Sequence, residues 1–213
     1  MKHYFILGSG GFAKEVYFLA SEVLDSNYQF GGFIDRNPIN DSIEVRKHKV
    51  KVWDENIFLS QVLPQNNTTL FMGVGDPKLL LKLSVKFQEY HFPNLIHPSF
   101  VGDFQSIQLG RGNIICAGCI FTVDIQIGSF NVFNLGVTVG HDTRIENGNV
   151  FNPGVNVSGG VQMGSGNLLG TNATVLQYLS IGNYTTLGAA SLATKSIEDH
   201  QVMIGVPAKP LNR

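Results

Sequence analysis

The sequence contains no long apolar segment and no marked excess of charge of either sign. No apolar stretch approaches the roughly 18 residues of a membrane span, and the run at residues 4–7 is too short for the core of a signal peptide. The formal net charge of −1 gives no electrostatic reason to expect nucleic acid or an anionic membrane as a partner. We therefore expect a soluble, cytoplasmic protein with no nucleic-acid partner and no membrane partner.

Cysteine is also scarce, and its two copies form a single C-x-x-C pair, Cys116 and Cys119. A zinc site of that type needs two further ligands nearby, and the sequence supplies none. A redox pair is the other reading of this spacing. Because the repeat described next places Cys116 in a turn and Cys119 at an inward position, we interpret both as structural and predict no metal site.

A six-residue repeat dominates the second half of the chain. A period of six fits neither a helix, with its period of about 3.6, nor one continuous alternating strand. Short strands separated by tight turns fit it, and a hexapeptide repeat is the sequence sign of a parallel β-helix. The inward apolar positions of this repeat are Leu109, Ile115, Phe121, Ile127, Phe133, Val139, Ile145, Phe151, Val157, Met163, Leu169, Val175, Ile181 and Leu187.

A second period, of 18 residues, lies within the first. Asn113, Asn131, Asn149 and Asn167 share this spacing, so one coil has three sides and these asparagines are expected to stack. Glycine or asparagine often follows the inward position, and we expect a positive φ there because both types tolerate it. A run of β-sandwich strands is the alternative, but sandwich loops vary in length.

The ends of such a prism are open sheet edges that need covering. After residue 192 the repeat stops, and residues 205–210 read as an extended tail. We expect this tail to cover one end of the prism and the N-terminal α/β domain to cover the other.

The first 35 residues follow the order strand, glycine-rich turn, helix, strand, acid. Gly8, Gly10 and Ala13 fit the pattern G-x-G-x-x-G/A after an apolar strand, and Asp35 ends the second strand. The glycines allow backbone N–H groups to approach a phosphate at a helix N-terminus, and the acid can bind a ribose hydroxyl or a sugar. A tight turn without a ligand is the alternative.

This α/β region is about half of a full dinucleotide-binding fold, since it ends near residue 95. A mononucleotide-sized site is therefore a better expectation than an NAD site. Residues 36–48 are polar and predict a loop, and residues 50–53 predict a short strand. We assign residues 1–96 to a Rossmann-like domain and residues 97–213 to the β-helix with its tail.

The repeat contains one histidine, His141, which Asp142 follows. Their place in the six-residue pattern puts both on a corner of the predicted prism. A catalytic zinc would need three ligating histidines, and no serine or cysteine nucleophile stands beside a histidine. The pair is either two exposed polar side chains without a function or a general base, for which an imidazole beside a carboxylate is the minimum.

Several motifs together resemble the bacterial sugar acyltransferases of the left-handed β-helix superfamily. They are the hexads, the corner Gly-His-Asp, the closing Gly-Val-Pro-Ala-Lys at 205–209, and the opening Gly-Ser-Gly-Gly-Phe with Phe-Ile-Asp at 33–35. The resemblance covers nearly the whole chain. The most similar branch contains N-acetyltransferases of nucleotide-linked amino sugars and sialic acid O-acetyltransferase-like proteins of glycan biosynthesis.

The resemblance implies a fold, an assembly and two ligands. The β-helix should be left-handed, an exception to the right-handed crossover rule. The protein should be a homotrimer of C₃ type with active sites between neighbouring prisms. The α/β domain should hold the nucleotide-activated amino sugar, acetyl-CoA should lie along the prism as acyl donor, and no metal should be required.

The resemblance also implies roles for individual residues. His141 matches the family's base, Asp142 its supporting acid, and Gly159 the glycine whose N–H approaches the thioester carbonyl. The implied nucleotide-sugar residues are Gly8, Ser9, Gly10, Gly11, Asp35, Arg36 and Asn134, and the implied acetyl-CoA residues are Val150, Gly159, Thr171, Ala189 and Lys209.

Two positions depart from the family pattern. Some members carry a second histidine nine residues after the base, near acetyl-CoA, where this chain has Val150. Some carry a histidine in the glycine loop, where this chain has Phe12. We expect the first departure to leave the acetyl-CoA site dependent on backbone donors, and the second to bear on which sugar or nucleotide is bound.

The predicted function is acetyl transfer from acetyl-CoA to the amine of a nucleotide-linked amino-deoxy sugar in bacterial surface-glycan biosynthesis. O-acetylation of sialic acid or another sugar hydroxyl is an alternative. A sugar-nucleotide-binding scaffold without catalytic activity is a second alternative.

Overall fold

The computed structural model describes residues 1–62, 64 and 68–211, which form an α/β domain followed by a three-sided prism of short strands. The predicted order of a Rossmann-like domain and then a parallel β-helix is confirmed. Within these residues no helix has the length and apolar character that a bilayer crossing requires.

The N-terminal domain is built on a mostly parallel sheet with helices packed against it. Its elements are β1 (Lys2–Leu7), α1 (Gly11–Val23), β2 (Tyr28–Asp35), β3 (Ser42–Val45), β4 (His48–Asp54), α2 (Glu55–Gln61), β5 (Thr68–Met72) and α3 (Pro77–Lys86). The strand order is β3-β4-β2-β1-β5, and β3 alone among these runs antiparallel to its neighbour. The carboxyl ends of β1, β2 and β5 therefore meet at one edge of the sheet.

A hairpin replaces the loop predicted for residues 36–48. β3 pairs with β4, which begins at His48 rather than at residue 50. The turn between them is Arg46-Lys47, and both residues have positive φ, of 50° and 64°. That is the backbone of a type I′ hairpin turn, which usually carries asparagine or glycine. The loop prediction is wrong because these side chains give no sign of such a turn.

The prism contains the remaining strands. They are β6 (Leu95–Ile96), β7 (Gln108–Leu109), β8 (Ile114–Ile115), β9 (Ile120–Phe121), β10 (Gln126–Ile127), β11 (Val132–Phe133), β12 (Thr138–Val139), β13 (Arg144–Ile145), β14 (Val150–Phe151), β15 (Asn156–Val157), β16 (Gln162–Met163), β17 (Leu168–Leu169), β18 (Thr174–Val175), β19 (Ser180–Ile181), β20 (Thr186–Leu187), β21 (Leu192–Ala193), β22 (Val202–Ile204) and β23 (Lys209–Pro210).

These strands form three sheets, the faces of the prism, in which every strand except β23 runs parallel to its neighbours. Face 1 contains β6, β8, β11, β14, β17, β20, β22 and β23, face 2 contains β9, β12, β15, β18 and β21, and face 3 contains β7, β10, β13, β16 and β19. From β7 to β21, partners in neighbouring coils are 18 residues apart, as Gln126 and Arg144 show. Because β6 pairs with β8, the prism begins one strand before the predicted boundary at residue 97.

The asparagines spaced by 18 residues form a buried ladder, as predicted. Asn113, Asn131, Asn149 and Asn167 are each 0% exposed. The Oδ1 atom of each accepts a hydrogen bond from the backbone N–H one coil further on, at 2.7–2.9 Å. The Nδ2 groups of Asn113, Asn149 and Asn167 donate to backbone carbonyl oxygens of the turns, and Asn131 Nδ2 donates to Asn113 Oδ1. The ladder thus satisfies buried backbone groups at one corner of every coil.

The glycines after the inward residues serve a different purpose from the one predicted. The positive φ values occur two residues later, for example at Gly112, Gly136 and Asp142. At Gly110, by contrast, an added Cβ would lie 2.7 Å from the Gly128 carbonyl. Glycine is required there because successive coils approach too closely for a side chain, so the prediction of positive φ at these positions is wrong.

The α/β domain packs against face 1 and does not cover an end of the prism. Ile114, Val132 and Val150 point outward from face 1 and belong to the same buried cluster as the α/β core. The prism's first end is covered by residues 97–107, where the Phe100 ring lies 5.1 Å from the Phe121 ring. At the last end the tail folds back as β23, as predicted. The domain covers face 1 because the outward-pointing side chains of that face are apolar, whereas outward side chains of a solvent-exposed face are usually polar.

Both cysteines are buried and free. Burial raises the pKa of the Cys116 thiol to about 12 and that of Cys119 to about 11. The reactive thiolate is therefore disfavoured at both positions. Among the described residues no cluster of three metal-ligating side chains exists. The burial and the raised pKa values agree with a structural role for the C-x-x-C pair.

Replacing one ladder residue should destabilise the prism. Asn149→Ala removes the acceptor for the buried Asn167 N–H and the partner of the Asn131 amide. Each buried polar group left unsatisfied costs about 1–3 kcal/mol. We expect urea unfolding to show a loss in that range. The exposed Gln162 of face 3 supplies the control, and equal stability of Asn149→Ala and Gln162→Ala would contradict the role of the ladder.

Candidate active site

His141 and Asp142 lie on the corner between faces 2 and 3, together with the equivalent residues of the preceding coil and of the next three coils. We call residues 123–124, 141–142, 159–160, 177–178 and 195–196 the His corner. The two side chains are 51% and 64% exposed, which confirms the predicted corner position. The His141 Nδ1 atom lies 2.7 Å from Asp142 Oδ2. With Nδ1–H as donor to the carboxylate, Nε2 carries the free lone pair.

Gly159 lies directly against the imidazole of His141. A Cβ added to Gly159 would be 2.6 Å from Nε2, so only glycine leaves room for the ring. Within the described part of the chain, the Gly159 N–H has no hydrogen-bond acceptor. The backbone of Gly159, with a free N–H, therefore lies next to the imidazole. This arrangement pairs a proton acceptor with a group able to stabilise a developing oxyanion.

The far end of the His corner carries positive charge. Lys195 occupies the same column as His141 and Gly159, three coils beyond His141, which is roughly 14 Å at the usual strand spacing. It lines a recess of about 310 Å³ with Lys209, and Pro207 and Pro210 form part of the wall. Lys209 was among the predicted acetyl-CoA residues, whereas Lys195 was not. Counting 18-residue steps from His141 would have found it.

The glycine loop stands at the carboxyl edge of the N-terminal sheet. Gly8 has φ 106° and approaches the Gly73 carbonyl so closely that a side chain would collide with it. Gly10 precedes α1, and no described side chain caps this helix. Side chains would meet no described atom within 4 Å at Gly10 or Gly11. The loop thus leaves uncapped helix N–H groups facing open space, which suits an anion.

Two further residues border this loop. Ser9 Oγ donates to Asp35 Oδ2 at 2.5 Å, so the end of β2 is tied to the loop. Arg36 is exposed and lines a neighbouring recess of about 320 Å³ that also contains Lys82 and Lys86. Lys86 is paired there with Glu55. The structure therefore brings Gly8, Ser9, Gly10, Gly11, Asp35 and Arg36 together at one edge of the sheet.

The two halves of the predicted site are on opposite sides of one chain. The α/β domain covers face 1, whereas the His corner is the edge where faces 2 and 3 meet. Asn134, Thr171 and Ala189 lie on another corner, between faces 1 and 2. Asn134 is 9% exposed, and its Oδ1 accepts from Leu135 N–H. One chain therefore does not unite these three residues with His141.

Val150 occupies a position that excludes its predicted role. It is 2% exposed and packs in the apolar cluster between face 1 and the α/β domain. No surface of the side chain remains for acetyl-CoA, so the prediction of Val150 as a donor-binding residue is wrong. A histidine introduced here would be buried among apolar side chains, so it would lower the stability of the fold.

Known proteins share this architecture over the whole chain. A family model described as the PglD N-terminal domain matches residues 4–87. A structure of PerB from Caulobacter crescentus, in complex with CoA and GDP-perosamine, has a TM-score of 0.85 and 30% identity and covers 100% of this chain and 98% of that chain. A mutant of perosamine N-acetyltransferase from Caulobacter crescentus, with the same ligands, has a TM-score of 0.87 and 28% identity at the same coverage.

A third structure is similar in fold at lower identity. The acetyltransferase domain of PglB from Neisseria gonorrhoeae FA1090, in complex with acetyl coenzyme A, has a TM-score of 0.86 and 23% identity and covers 99% of each chain. No curated protein matches this sequence.

The β-helix and its corner histidine define the class as the hexapeptide-repeat acyltransferases. Within that class, the chain belongs to the β-helix sugar acetyltransferases that carry a PglD-type N-terminal domain.

The contact between Gly159 and His141 can be tested with one methyl group. Gly159→Ala should displace the imidazole, and alanine fits the backbone because Gly159 has no positive φ. We expect kcat for acetyl transfer to fall at least about tenfold, a part of the 10²–10⁴ that a general base contributes, with little change in melting temperature. The double variant with His141→Ala should lose little more than His141→Ala alone. Full activity of Gly159→Ala would contradict the contact.

Proposed function

We propose that the protein transfers an acetyl group from acetyl-CoA to the amine of a nucleotide-linked amino-deoxy sugar. The observation that carries this proposal is the imidazole of His141, held by Asp142 and placed against Gly159, whose N–H has no described acceptor. The CoA and GDP-perosamine bound to PerB, which is 30% identical over almost its full length, support the same reaction. The cytoplasmic location and the surface-glycan pathway stay predictions.

His141 acts as the general base in this proposal. A protonated amine cannot attack a thioester, because its nitrogen has no free lone pair. Nε2 of His141 accepts a proton from the amine as the new C–N bond forms at the thioester carbon. Asp142, which accepts from Nδ1, orients the ring and stabilises the imidazolium that results.

The backbone of Gly159 stabilises the intermediate. Attack on the thioester places negative charge on the former carbonyl oxygen, and the Gly159 N–H is a donor on this corner that has no described acceptor. The C–S bond then breaks as the carbonyl re-forms. The imidazolium of His141 returns its proton to the leaving thiolate, so the reaction ends with free CoA, the amide product and a neutral imidazole.

The donor lies along the His corner in this proposal. Its thioester is at Gly159, and its phosphates are at the recess that contains Lys195 and Lys209. Both ammonium groups offer charge-assisted hydrogen bonds to phosphate oxygens. Thr171 and Ala189 belong to the opposite corner, so they contribute only if a second chain presents that corner to the donor.

The nucleotide of the acceptor binds at the glycine loop. The uncapped N-terminus of α1 receives the diphosphate, and Gly10 and Gly11 leave the space for it. Asp35 and Arg36 are placed to contact the nucleoside or the sugar. The separation of this loop from the chain's own His141 supports a homotrimer in which each site takes its loop from one chain and its base from another.

A His141 variant tests the reaction. His141→Ala should lower kcat by roughly 10²–10⁴, the usual contribution of a general base, while the fold survives because the side chain is exposed. Free CoA should be followed with acetyl-CoA and a panel of nucleotide-linked amino sugars and sialic acids. His200→Ala, at an exposed prism histidine on another corner, is the control.

Three outcomes would contradict this assignment. Turnover only with sialic acids would support O-acetylation, and no turnover with any acceptor would support a binding scaffold. If His141→Ala keeps more than about a third of kcat at both about pH 6.5 and about pH 8, His141 is not the base.

Mixed trimers test whether a site is shared between chains. Gly10→Asp should block the nucleotide, because aspartate is a favourable N-cap that occupies the helix N–H groups and repels phosphate. Co-assembly of inactive Gly10→Asp chains with inactive His141→Ala chains should restore roughly a quarter of wild-type activity if assembly is random. No recovery from verified mixed trimers would place each site within one chain.

A further inference from the structure

Tyr178 is a large side chain on the His corner, one coil beyond Gly159 and Gly160. The residue has φ 59° and is 71% exposed. Its ring lies against Gly160, where any added Cβ would collide with it. The Tyr178 N–H donates to the Gly159 carbonyl at 3.0 Å, so the backbone that carries the ring is fixed relative to Gly159.

The imidazole of His141 and the ring of Tyr178 reach adjacent glycines from opposite directions. His141 comes from the preceding coil and lies against Gly159, while Tyr178 comes from the following coil and lies against Gly160. The aromatic ring therefore borders Gly160, the neighbour of Gly159, on the side that leads towards Lys195. Its exposed face is free to contact a ligand that passes along the corner.

Tyr178 stands where the donor must pass. The proposed function puts the thioester at Gly159 and the phosphates beside Lys195 and Lys209, so the pantetheine arm crosses the coil of Tyr178. Leu176, which is 37% exposed, adds apolar surface to the same coil. An aromatic ring and an aliphatic side chain match the methyl and methylene groups of that arm.

We propose that Tyr178 is a donor-positioning residue whose ring forms one wall of the path for the pantetheine arm of acetyl-CoA. This inference rests on the proposed function. Tyr178 takes no part in proton transfer, so it governs the affinity for the donor and leaves the chemical step unchanged. Gly160 is required for this position of the ring, since any side chain at residue 160 would displace the Tyr178 ring from the path of the donor.

The first test removes the ring. Tyr178→Ala should raise the KM for acetyl-CoA and the Kd for CoA about fivefold to tenfold, with kcat and the KM for the amino sugar within about twofold of wild type. Tyr178→Phe keeps the ring and should keep the affinity. Calorimetry with CoA alone gives a readout that does not depend on turnover.

The second test keeps the ring but displaces it. Asparagine tolerates the positive φ of Gly160, as Asn172 shows at an equivalent turn, and its side chain would occupy the space of the Tyr178 ring. Gly160→Asn should therefore raise the Kd for CoA as much as Tyr178→Ala does. The double variant should show no further rise, because both changes remove one contact.

A matched control exists on another corner. Tyr184 also has a positive φ, of 54°, and its ring lies against Gly166 at the corner between faces 3 and 1. Tyr184→Ala and Gly166→Asn reproduce the same packing changes away from the His corner. Both should leave the Kd for CoA unchanged.

The outcomes separate this inference from the proposed function. If the wild type binds CoA and turns over but Tyr178→Ala has unchanged Kd and KM, the inference is wrong and the proposed function stands. A fall in kcat at constant KM, or equal effects of Tyr178→Ala and Tyr184→Ala, would also overturn the inference. Absence of CoA binding by the wild type would overturn both.

Discussion

The hydrogen bonds of the buried asparagine ladder are the constraint on which the rest of the prism depends. Each Oδ1 atom accepts the buried N–H one coil further on, so a shift of register would leave buried donors unpaired. The ladder therefore fixes 18 residues as the length of a coil. That regularity turns distant positions such as His141, Gly159 and Lys195 into neighbours along one line.

Much of the prism could be predicted from the sequence, because every coil of the repeat needs the same types of residue at the same positions. The inward apolar positions, the stacked asparagines and the exposed corner position of His141 all follow from counting. The roles of the glycines did not, because a sequence cannot distinguish a glycine needed for positive φ, such as Gly112, from one needed for close approach, such as Gly110. The hairpin at Arg46-Lys47 was missed because its turn lacks the usual residue types.

The location of the α/β domain decides which site predictions hold. Nothing in residues 1–96 specifies whether the domain covers an end or a face of the prism, and the answer depends on the outward side chains of face 1. Once Ile114, Val132 and Val150 are buried there, Val150 is lost to a ligand and the glycine loop is remote from the chain's own His141. Packing between domains, which local patterns do not encode, thus shapes the site.

The uncapped start of α1 has a consequence for folding as well as for recognition. Glycine at position 10 leaves the first helix N–H groups without a side-chain acceptor among the described residues, a less stable choice than serine or aspartate. A bound phosphate would supply the missing acceptor and so act as the helix cap. Phosphate binding at the loop and the stability of the N-terminal domain are then thermodynamically linked, and the domain would be most stable to unfolding with phosphate bound.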